Sequence, residues 1–215
     1  MVRAAHAVSH HALQARALTS SNVVIDSPKQ RYLAVCERVE VDGVTSSQIS
    51  VFDLRTAPLF QKMRTLTNPV RPSNGKASDI IGCAFSGDSK FLACQTGRPD
   101  WTVMIWHWFQ SRVICSVEVP ARVSRVTFNP VDSSQICTSG PSHFRLWRVM
   151  DEALRPFPPF AGVKGTEHIV DHDWCVLCSW PQDRAQLTCC ACAVVQDAGR
   201  PIGRGHRTRH CAGHR

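Results

Sequence analysis

The chain has 215 residues, 43% hydrophobic and 20% charged, a globular balance that excludes a disordered polymer. Its net charge of +8 invites a nucleic-acid reading, but the excess lies at the two ends. Arg3 and Arg16 meet no acid in residues 1–20, and Arg184, Arg200, Arg204, Arg207, Arg209 and Arg215 meet only Asp183 and Asp197 in residues 181–215. A basic end attracts polyanions without sequence preference, so no specific nucleic-acid partner is expected. No apolar run is long enough to cross a bilayer, and residues 1–20 lack the continuous apolar core of a secretory signal. They read as a disordered N-terminus, and no membrane partner is expected. Of the eleven cysteines, Cys36, Cys83, Cys94, Cys115 and Cys137 sit in apolar, strand-like runs, where a reduced thiol packs as a small core residue. That points to a reducing compartment rather than a disulfide framework.

In chain order, the first readable unit starts at "DSPKQRYLAV" and ends its third strand with "ISVFDL", Ile49–Leu54. Two polar insertions, "VEVDGVTSS" and "TNPVRPSNGKAS", stretch it and read as loops. The second unit is the clearest. Ile80–Phe85, Lys90–Thr96, Thr102–Trp108 and Arg112–Val119 are β-branched, aromatic or alternating runs, separated by "SGDS", "GRPD" and "FQS". Such runs between turn residues predict four antiparallel strands joined by hairpins. The third unit, Val123–Met150, repeats the pattern, with Phe85 recurring as Phe128 and Trp106 as Trp147. After Met150, "DEALRPFPPFAGVKG" reads as a Pro-rich linker. "HIVDHDWCVLCSW" offers the first strand or two of a fourth unit, and no strand pattern is read beyond Trp180. No segment has the period of a long amphipathic helix.

A period of about 40–45 residues with four strands per unit, and an aromatic followed by a polar residue late in the third strand, marks a WD-repeat β-propeller. The predicted fold is all-β: an incomplete propeller of about three four-stranded antiparallel blades over residues 21–180, with irregular ends at 1–20 and 181–215. The tail 181–215 is read as unstructured, basic and rich in Cys, His and Arg. Only Phe52-Asp53 keeps the aspartate of the W-D pair; the others are Trp106-His107 and Trp147-Arg148, and no Gly-His opens a blade. The buried hydrogen-bonding side chains of the best-known blades are therefore expected to be largely missing. The tryptophans read as blade core, not as a platform for bases. Three blades do not close a ring, so the chain is expected to need further blades, or self-association, to cover its strand edges.

The segments "RYLAVCE", "ISVFDLRT", "AFSGDSKFLACQT", "VMIWHW" with "RVICSVEV", and "VTFNPVDSSQICTSGPSHFRLWRV" resemble the N-terminal propeller of the axonemal WD-repeat proteins, over about residues 22–175. The resemblance implies a non-enzymatic scaffold of the axoneme of motile cilia and flagella. The partners it implies are inner dynein arms, the nexin–dynein regulatory complex and the doublet microtubule. It carries over no catalytic, cofactor or ligand residue.

The residues agree. There is no G-x-x-x-x-G-K-[ST], G-x-G-x-x-G, H-E-x-x-H or G-x-S-x-G, and neither catalytic nor cofactor residues are assigned. Glu167, His168, Asp171, His172 and Asp173 crowd one segment and read as an exposed charged turn. His107 should face away from Trp106 and Trp108. The alternative function is a zinc- or nucleic-acid-binding protein acting through the tail. Cys189-x2-Cys192 followed by His206-x3-His210 has ligand spacing, but Gly199, Pro201, Gly203 and Gly205 disfavour the helix that would hold both histidines. Cys175/Cys178 with Cys189/Cys192 are closer together than a zinc ribbon requires. No metal is assigned.

Overall fold

The computed structural model describes residues 21–41, 44–56, 59–68, 79–98, 101–141, 143–157, 169–179, 186–195 and 209–211. The first blade is β1 (Ser21–Asp26), β2 (Tyr32–Val41), β3 (Val44–Asp53) and β4 (Gln61–Thr67). The second is β5 (Ile80–Phe85), β6 (Phe91–Thr96), β7 (Thr102–His107) and β8 (Arg112–Glu118). The third is β9 (Arg125–Phe128), β10 (Gln135–Gly140), β11 (His143–Met150) and β12 (Ala153–Phe157). Each is an antiparallel sheet with its strands in chain order, and a further sheet joins β13 (Ile169–Ser179), β14 (Gln186–Val195) and β15 (Arg209–Cys211). Short 3-10 turns follow β3 and β7, at Leu54–Thr56 and Trp108–Gln110. The expected all-β architecture of three four-stranded blades is borne out.

Three local expectations are corrected. "VEVDGVTSS" is not a loop: β2 and β3 run through it as one long hairpin, paired from Tyr32↔Asp53 to Val41↔Val44. The alternating apolar residues Val39 and Val41 continue the strand. The segment after Met150 is not linker at its start, because β12 completes the third blade. It pairs with β11 from Leu146↔Phe157 to Met150↔Ala153. Pro156 is tolerated because β12 is the outer edge of its sheet, where a strand needs hydrogen bonds on one side only. Within 181–215, residues 186–195 and 209–211 are strands and not an unstructured tail.

The turns between first and second strands use short polar side chains to hold backbone N–H groups. Ser27 Oγ accepts from the N–H of Arg31 and Tyr32, at 3.2 and 3.0 Å. In the second blade Ser86 Oγ accepts from Phe91 N–H at 2.9 Å, and Asp88 accepts from Lys90 N–H at 3.1 Å. In the third, Asn129 Oδ1 accepts from the N–H of Val131 and Asp132. Ser27, Ser86 and Asn129 thus hold equivalent turns in the three blades.

Strand alternation then builds the contacts between blades. The pairs Leu33↔Phe52, Leu92↔Trp106 and Ile136↔Trp147 mark equivalent positions in β2–β3, β6–β7 and β10–β11. One face of the second blade, including Cys83, Phe85, Leu92, Cys94 and Trp106, packs on Tyr32, Ala34, Cys36, Ile49 and Val51 of the first. Its other face, with Ala93, Val103 and Ile105, meets Val126, Phe128, Ile136 and Trp147 of the third. Full burial of a large apolar side chain is worth roughly 1.5–3 kcal/mol, so these faces are the main stabilising term. Trp106, Trp108 and Trp147 are all buried, as blade core should be.

Candidate functional site

Polar side chains sit inside these apolar faces at repeating positions. Three residues past the marker leucine or isoleucine, each second strand reaches the following sheet. Cys36 Sγ lies 3.7 Å from Cys83 Sγ. Gln95 Nε2 donates to Val123 O at 3.0 Å. Ser139 Oγ lies 2.6 Å from His172 Nδ1 on β13. His172, fully buried, also meets Thr127 Oγ1 through Nε2 at 2.7 Å, while Trp174 Nε1 donates to the same hydroxyl at 2.8 Å. The indole takes one lone pair of Thr127 Oγ1, and the direction of the two His172 hydrogen bonds follows the ring tautomer. The segment read as an exposed charged turn therefore splits. Asp173 is exposed, but His172 is an internal clasp between β13 and the third blade. Glu167 and His168, and the side chain of Asp171, lie outside the described residues.

Two residues past the same marker, the three blades differ. In the third, Trp147 Nε1 donates to Thr138 Oγ1 at 2.8 Å, and His143 Nε2 lies 2.9 Å from that oxygen. The expected lack of buried hydrogen-bonding side chains is thus corrected for this blade. Burial, with help from Arg145, pushes the His143 pKa down to about 4, so the ring is neutral. In the second blade Cys94 stands where Thr138 does, so the buried Trp106 Nε1 faces a weakly accepting sulfur instead of a hydroxyl. In the first, Val35 and Phe52 make the position wholly apolar. Cys94→Thr places a hydroxyl acceptor beneath Trp106 and should raise unfolding free energy by about 1 kcal/mol. Urea titration checks this; a loss would mean that the position cannot take a hydroxyl.

Cys36, Cys83, Cys94, Cys115 and Cys137 are free and buried, as the sequence reading expects. A hydrogen bond to Cys36, together with burial, holds the Cys83 pKa well above the usual thiol range; burial, helped by Cys36 and opposed by the Trp106 indole, pushes Cys94 up to about 12, and burial with the Glu152 carboxylate pushes Cys115 up to about 11. These three thiols are therefore protonated core groups, and nucleophilic attack and metal binding, which need the thiolate, are not open to them. His107 is half-buried with its ring 5.6 Å from Phe91, away from the Trp106 face. Trp108 leaves the strand for the 3-10 turn, so alternation does not govern it. Among the described residues no group of three His, Cys, Asp or Glu is placed to hold a metal ion. Cys175 and Cys178 lie within β13, and Cys189 and Cys192 within one continuous strand, β14, rather than in a turn. Their side chains, that of His210, and His206 altogether fall outside the described residues.

No family model matches the chain. Cilia- and flagella-associated protein 57 of Mus musculus is 28% identical over 132 residues, covering 60% of this chain and 10% of that protein. Cilia- and flagella-associated protein 44 of Mus musculus is 33% identical over 123 residues, covering 57% and 6%. The chain thus spans a tenth or less of the length of these relatives. The resemblance read from the sequence segments is borne out by them. Among solved structures, Sqt1 of Saccharomyces cerevisiae, a WD-repeat propeller, aligns with a TM-score of 0.55 over 81% of this chain and 42% of its own, at 10% identity. That likeness concerns the fold alone.

Proposed function

We propose that this chain is the WD-repeat part of a cilia- and flagella-associated scaffold, which holds partner proteins and makes or breaks no bond. Its site of action is the axoneme, and its partners are components of the inner dynein arms, the nexin–dynein regulatory complex or the doublet microtubule. The observation that carries this reading is the likeness to two ciliary proteins over more than half of the chain. The blades support it: the buried thiols of Cys83, Cys94 and Cys115 are held protonated, buried His143 and His172 are taken up in hydrogen bonds inside or between sheets, and what remains for function is exposed loop and rim. Proximity labelling with the tagged chain in ciliated cells tests it. Enrichment of inner-arm dynein or regulatory-complex subunits over a cytosolic control is expected. A labelled set without axonemal proteins would reject the reading.

A further inference from the structure

We draw no further inference here: the strongest candidate, the end of the β2–β3 hairpin, whose rungs from Arg38↔Ser47 to Val41↔Val44 run past the pairing of β1 and β4, carries nothing, because the residues that precede Ser21 and follow Asn68 lie outside the described ones and nothing in the structure shows what covers its two edges.

Discussion

Trp108→Ala should cost about 3–5 kcal/mol of unfolding free energy, the range for emptying a buried aromatic site. The indole is fully buried, and its Nε1 donates to Ser89 O at 2.8 Å. It stacks on Phe109 with centroids 3.8 Å apart and meets Tyr32 and Phe85 edge-on, at 4.8 and 6.1 Å. Tyr32 belongs to the first blade and Phe85 to the second, so the side chain fastens one to the other. Removing it leaves a cavity and an orphaned carbonyl at the same place. Trp108→Phe keeps most of the packing and should cost clearly less. Urea unfolding of both variants checks the order; equal costs would show that packing contributes little beyond the lost hydrogen bond.

Thr138→Val should cost about 2–4 kcal/mol, although it preserves shape, because two buried polar groups lose their partner at once. Trp147 Nε1 and His143 Nε2 both depend on that hydroxyl. The same network sets a pH dependence. His143 titrates at about 4 when folded and near 6.5 when unfolded. Between these values the unfolded chain takes up a proton that the folded one refuses. Its contribution is therefore complete above about pH 6.5 and is lost as pH falls towards 4, amounting to at most about 3 kcal/mol. His143→Gln should flatten that part of the stability curve. An unchanged acid slope would mean that other groups carry it.

Much of the fold was legible because each blade writes its own punctuation. The strands of the second blade lie within a residue or so of the predicted runs, since Ser86, Asp88 and Gly97 close the turns where the sequence changes character. The corrections have physical causes. Pro156 looks like linker chemistry, yet an edge strand needs no donor on its outer side. The extension of β2–β3 reads as polar insertion because Glu40, Asp42, Thr45, Ser46 and Ser47 interrupt the apolar alternation. His172 was hidden among acids, and only the register of β13 against the third blade shows that its ring turns inward. Thr138 and His143 left a weaker signal that could have been used: a hydroxyl residue in the second strand, facing the tryptophan of the third.

The most direct test of the scaffold account is retention in axonemes. The tagged chain is expressed in ciliated cells, and the cilia are isolated, stripped of membrane with detergent and washed with salt. The account predicts that the chain stays with the axonemal pellet and is released by the salt that strips its partners. A chain absent from cilia, or lost entirely with the detergent-soluble fraction, would contradict it.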